Sequence, residues 1–162
     1  MAKKNALGYL SAALNDLRKH KLGCTACNAW KEVFRLEEQL PCSSGQLHYQ
    51  AVIDWALLYL FELWQEDKPD GMEVAFPTGI ANAIDVAAQR RRCAVMCTNG
   101  HSFRVPRHLG RLLCKCPECG DAFDWEPHVP VASSIAGIDS EQHLTEAQAV
   151  VNEISDSLSR LL

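Results

Sequence analysis

Thiols and imidazoles at short, fixed separations are the residues of this chain best equipped for chemistry. Five of its eight cysteines and two of its six histidines lie between Cys93 and Trp125. Cys116-Pro117-Glu118-Cys119-Gly120 is a Cys-x-x-Cys turn with glycine directly after the second thiol. In a metal knuckle this turn aims backbone N–H groups at the sulfurs, and glycine takes the left-handed conformation that the turn needs. Upstream, Cys97-Thr98-Asn99-Gly100-His101 places three residues between a thiol and an imidazole. Residues 102–105 and 112–115 read as two short strands between these turns. Two ligand turns joined by such a β-hairpin would make a zinc ribbon.

The stretch resembles the small bacterial zinc ribbons written C-x-x-C-G-x-x-F-R-V-P, then a loop, then C-P-x-C-G-x-x-F. Phe103-Arg104-Val105-Pro106 matches the first strand of that pattern. Cys116-Pro117-Glu118-Cys119-Gly120 with Phe123 matches its second knuckle. The resemblance covers residues 93–125 of 162 and so implies a module, not a whole protein. The first knuckle departs from the pattern. Counted forward from Cys97, the family's second cysteine falls at Gly100; counted back from Phe103, it falls at Asn99. The fourth ligand is then His101, or Cys93 reaching in from before the hairpin. Cys97, His101, Cys116 and Cys119 are the expected set, because three thiolates and one imidazole satisfy tetrahedral zinc. A unit this small buries too little apolar surface to fold alone, and zinc would supply the missing free energy. Thiols without metal, or an iron–sulfur cluster on Cys114, Cys116 and Cys119, fit two facing turns less well.

Cys24-Thr25-Ala26-Cys27 is half of a second site. A redox dithiol would follow a strand and open a helix within a βαβ unit, whereas a helical pattern precedes this one. A second zinc is the better reading, with Cys42 as third ligand and His20 or His48 as fourth. Cys93 or Cys114 reaching across is the alternative. Cys42 and His48 as nucleophile and base are not separated by a spacing that fixes any geometry. The sequence has no phosphate-binding glycine loop, no His-Glu-x-x-His and no deaminase His-x-Glu. A closed four-ligand zinc leaves no position for water. No catalytic residues are expected.

The elements that must position these ligands are mostly helical. Leu7, Leu10, Ala13, Leu14 and Leu17 share one side of a helix over 5–21, which Gly23 ends. A second helix is expected through Trp30, Val33 and Leu36 to Leu40, closed by Pro41. Ser43, Ser44 and Gly45 form a turn before a third, over about 46–65. Its apolar residues cover most of its circumference, which makes it the central buried helix. After a Pro/Gly/Asp-rich loop, Thr78 opens a fourth helix leading into Arg90-Arg91-Arg92. In the tail, Leu144, Ala147, Val151, Ile154, Leu158 and Leu161 repeat at alternating three- and four-residue spacings. That stripe is either a short coiled-coil seam or a helix packed back on its own domain. The expected fold is mainly α with a small β zinc ribbon. It divides into a helical unit (1–92), the ribbon (93–126), a linker (127–139) and a C-terminal amphipathic helix (140–162).

Charge is distributed unevenly. The net charge is −4, yet no acidic residue occurs from Val86 to Pro117. That window holds Arg90, Arg91, Arg92, Arg104, Arg107, Arg111 and Lys115, leaving nine basic against twenty acidic residues elsewhere. A polyanion or an acidic protein surface suits such a segment; the alternative is a solvated face paired with the acidic remainder. With 48% hydrophobic residues the chain can bury a real core. It has no signal-peptide pattern, and its longest apolar run, 51–63, is broken by Asp54 and Glu62. Clustered cysteines without a secretory signal point to a reducing cytoplasm and away from membranes. These features describe a non-enzymatic accessory or regulatory subunit that contacts nucleic acid or a nucleoprotein complex through a basic ribbon. The alternative is a protein–protein adaptor, self-associating or binding a partner through the ribbon and the tail.

Overall fold

Val52 to Leu60 are buried without interruption, so the middle of the third helical segment has no solvent face. Only a helix surrounded by other elements can bury every side in this way. The computed structural model, which describes residues 5–67, 78–106, 112–126 and 140–159, supplies those surroundings. Helix α1 (Asn5–Gly23) is followed by a single turn, α2 (Thr25–Asn28). Helix α3 (Ser43–Asp67) is central, and α1, α4 (Thr78–Arg90) and α5 (Ser140–Ser159) all pack against it. Strands β1 (Arg92–Met96), β2 (Ser102–Pro106), β3 (Leu112–Lys115) and β4 (Ala122–Trp125) lie between α4 and α5 in the chain.

The helical core joins Leu10, Leu14 and Leu17 of α1 with Tyr49, Val52 and Leu58 of α3, and with Ile80 and Ile84 of α4. From α5, Ala147, Val150, Val151, Ile154 and Leu158 enter the same core. The tail stripe therefore packs back on the chain's own helices. Leu161, the expected linker 127–139 and the loop at 68–77 lie outside the described residues, as does the side chain of Leu144. Among the described residues no helix is long and apolar enough to cross a membrane.

The helix expected through Trp30 to Leu40 does not form. After α2 the chain runs irregularly to Pro41, and the backbone donors of Phe34, Arg35, Leu36 and Leu40 go to side chains instead. Phe34 N–H donates to Glu153 Oε2 (2.9 Å) and Leu36 N–H to Ser157 Oγ (3.2 Å), both on α5. Arg35 N–H donates to the Tyr49 hydroxyl (2.8 Å), which donates to the Arg35 carbonyl (2.7 Å). The apolar spacing that suggested a helix belongs to Trp30, Phe34 and Leu36 inserting into the core beside α3. Trp30 and Phe34 each meet the Tyr49 ring, at centroid distances of 5.6 and 6.0 Å.

The strands at 102–106 and 112–115 exist, but they do not pair with each other. β1 pairs antiparallel with β2, Val95 opposite Phe103, and β3 with β4, Cys114 opposite Phe123. Each knuckle is thus the turn of its own hairpin. The two hairpins share a small core in which Val95, Val105 and Cys114 are buried, with Cys93, Phe103, Phe123 and Trp125 against them. Phe103 and Phe123 meet edge to face at 5.9 Å. The fold is mainly α with two small antiparallel hairpins.

One ionic contact ties the approach to these hairpins to α3. Asp54 is fully buried, and Arg90 grips it through Nε (3.0 Å) and Nη2 (2.8 Å). Arg91 Nε lies 3.0 Å from Oδ2 as an ion pair without a hydrogen bond, and Gln50 Nε2 donates to Oδ1 (3.0 Å). A buried carboxylate held by two guanidiniums costs much to disrupt one partner at a time. It fixes where α4 ends and β1 begins.

Candidate metal centres

Four ligands at about 2.0–2.3 Å around a tetrahedral ion stand roughly 3.5–3.8 Å apart. Among the described residues two groups come close to that separation, and in each all four candidate ligand atoms lie within 4.8 Å of one another. Each contains three thiols and one imidazole.

The first group is His20, Cys24, Cys27 and Cys42. α1 delivers His20 in its last turn, the break at Gly23 delivers Cys24, and α2 delivers Cys27. Cys42 stands immediately before α3. Its sulfur lies 3.2 Å from His20 Nε2, 3.4 Å from Cys27 Sγ and 3.8 Å from Cys24 Sγ. His48 is not in the group; its ring sits beside that of His20, centroids 5.4 Å apart. The structure thus selects His20 from the two histidines that the sequence left open.

Gly45 is the residue that sequence reasoning missed here. It was expected in a turn, yet it lies in the first turn of α3, with its N–H 3.1 Å from Cys42 Sγ. A Cβ at this position would stand 2.7 Å from Cys27 Sγ, 3.1 Å from His20 Nε2 and 3.2 Å from Cys42 Sγ. Only glycine lets the helix approach the cluster this closely. Burial pushes the Cys27 thiol up to about 11. A metal ion reverses that preference by holding the thiolate directly.

The second group is Cys97, His101, Cys116 and Cys119. His101 Nδ1 lies 3.4 Å from Cys97 Sγ and 3.6 Å from Cys116 Sγ, while Cys97 and Cys119 sulfurs are 3.8 Å apart. His101, rather than Cys93, completes the set. Cys93 and Cys114 instead belong to the hairpin core.

Gly100 and Gly120 both have positive φ, +86° and +78°. The two knuckles differ in length: Cys97 N–H donates to the His101 carbonyl and Cys116 N–H to the Asp121 carbonyl, so the first turn is one residue shorter. The extra residue between its two ligands suits an imidazole, which is longer than a thiol. The imidazole ligand and the shorter turn are the two departures of the first knuckle from the cysteine pattern.

Groups around this cluster orient it. His101 N–H donates to Cys97 Sγ (3.3 Å), and Asn99 Nδ2 reaches across to Cys119 Sγ (3.4 Å) and Asp121 Oδ2 (2.8 Å). His101 Nε2 faces Glu118 Oε2 at 3.3 Å, so a proton held there leaves Nδ1 free for a metal. A backbone hydrogen bond from Asp121, then Asn99 and His101, bring the exposed Cys119 thiol down to about 6. The glycine after the thiol was legible in sequence; the Asn99 and Glu118 contacts depend on how the two hairpins face one another.

The expected basic residues are not all alike in the structure. Arg90 and Arg91 engage Asp54. Arg92, Arg104 and Lys115 are exposed on the hairpins. Arg107 and Arg111 lie outside the described residues. No protein-family model matches the chain, and comparison with the curated proteins and the solved structures found no match.

Proposed function

We propose that this chain is a non-enzymatic accessory or regulatory subunit that holds two structural zinc ions and contacts nucleic acid, alone or in a nucleoprotein complex, through its paired hairpins. The observation that carries the zinc reading is the donor set. Three thiolates and an imidazole at tetrahedral separations suit zinc among the common divalent ions, whereas calcium and magnesium take oxygen ligands. Four protein ligands fill each site, so neither keeps a position for substrate or water. The first ion would join α1, α2 and the start of α3, and the second would close a zinc ribbon. The ribbon's ordered frame lets its arginines bind with less loss of conformational freedom.

Nucleic acid is the proposed partner because Arg92, Arg104 and Lys115 are exposed on a unit entered through a stretch without acidic residues. A second reading, a protein–protein adaptor, is favoured by Leu113, which is 75% exposed on β3. Salt separates the two. Binding to phosphates weakens steeply as salt rises, while an apolar contact does not. Full-length zinc-loaded protein should retard DNA or RNA at low salt and release it on the way to physiological salt. Failure to retard any of them would remove the nucleic-acid reading.

A further inference from the structure

The two hairpins present different outer faces. On β1, Arg92, Ala94 and Met96 point outward while Cys93 and Val95 turn toward the shared core. On β2, Ser102 and Arg104 are exposed between the inward Phe103 and Val105. The register sets Ala94 opposite Arg104 and Met96 opposite Ser102. This face contains two arginines, one thioether, one hydroxyl and no carboxylate. The β3–β4 face sets Leu113 opposite Asp124 and Lys115 opposite Ala122, so its single cation is offset by an acid.

We infer that the outer face of β1–β2 is a docking surface for single-stranded nucleic acid, with Arg92 and Arg104 on phosphates and Met96 against an unstacked base. The inference rests on the nucleic-acid reading above and deepens it. Charge complementarity selects this face, since it is cationic on a protein of net charge −4. Arg104 is also held in place: its Nη2 donates to the Arg92 carbonyl at 3.1 Å. A guanidinium offers five donors in a rigid fork, so a single such contact leaves it able to grip a phosphate.

Met96 selects the single strand. It is 65% exposed, opposite Ser102. A duplex hides the faces of its bases and would set this thioether against phosphate. A single strand turns its bases out, and a base face is a favourable neighbour for both sulfur and guanidinium.

The test uses full-length zinc-loaded protein and fluorescence anisotropy with a labelled oligothymidylate, its duplex with oligoadenylate, and poly-glutamate as competitor. Metal content is checked for every variant. The single strand should bind more tightly than the duplex, and poly-glutamate should compete poorly. Arg92→Gln with Arg104→Gln should weaken binding roughly tenfold and flatten the logarithmic salt slope by about 1.4, at about 0.7 per phosphate. Met96→Ser should weaken it roughly threefold with the slope unchanged. Leu113→Ser should change it by less than about twofold.

Loss of binding on the β3–β4 face with none on β1–β2 would overturn the assignment of the face while leaving nucleic-acid binding intact. Tighter duplex binding would overturn the single-strand assignment. Equal displacement by poly-glutamate would point to an acidic protein partner instead. No binding by the unaltered protein would remove the parent reading as well.

Discussion

Gly45 shows how much a single absent side chain decides. Its hydrogen occupies the only space left between α3 and three of the first group's ligands. Gly45→Ala would force a methyl to within 2.7 Å of Cys27 Sγ, where the neighbour is a ligand and cannot yield without leaving the cluster. We expect this variant to lose one equivalent of bound metal and to be markedly less stable. Gly79→Ala is the control, since nothing lies within 4 Å of a Cβ there. In helix α4 it should be neutral or stabilise by about 0.5–1 kcal/mol. Metal analysis with thermal denaturation of both variants checks the contrast; retention of full metal content by Gly45→Ala would contradict the packing described. The two Cys-x-x-Cys turns were legible in sequence because thiol and glycine spacing is a local property, whereas the choice of His20 over His48 was not. The need for glycine at position 45 was not, because it comes from residues brought near by α1 and α2.

At the scale of elements, the sequence was most legible where one periodicity had one cause. Helices α1, α3 and α4 follow from their apolar spacing, and α3 is central as its all-round burial implies. The stretch from Trp30 to Leu40 carries a similar spacing without a helix. There the partners are side chains more than a hundred residues away on α5, Glu153 and Ser157, which take the backbone donors that a helix would have used. No local pattern records that. The hairpin pairing, β1 with β2 and β3 with β4, departs from the expected one for a related reason. The knuckles are flanked on their outer sides by 93–96 and 122–125, whose alternation is the sign of half-buried strands. The tail stripe could be read as a seam or as core, and only tertiary contacts decide between them. Ile154 is fully buried in the helical core. Ile154→Ala should therefore cost about 2–5 kcal/mol, read as a lower denaturant midpoint of the metal-loaded protein. An unchanged midpoint would mean that α5 does not pack as described.

At the scale of the whole molecule, the described residues form a helical core and a small hairpin core, each beside one Cys/His cluster. The hairpin core, Val95, Val105 and Cys114 with a few half-buried neighbours, is small for independent stability. The helical core is larger and reaches from α1 to α5. Metal should therefore matter unequally to the two. Chelation is expected to unfold the hairpins outright, whereas the helical unit should keep much of its helix and lose the joint between α1, α2 and α3.

The most direct test is the zinc content of purified protein and of two paired variants, Cys116→Ser with Cys119→Ser and Cys24→Ser with Cys27→Ser. Two zinc ions per chain are expected, falling to one in each variant and to none when both pairs are replaced. A metal-free native protein with its hairpins intact, or a single zinc unaffected by one of the paired substitutions, would contradict the two-centre account.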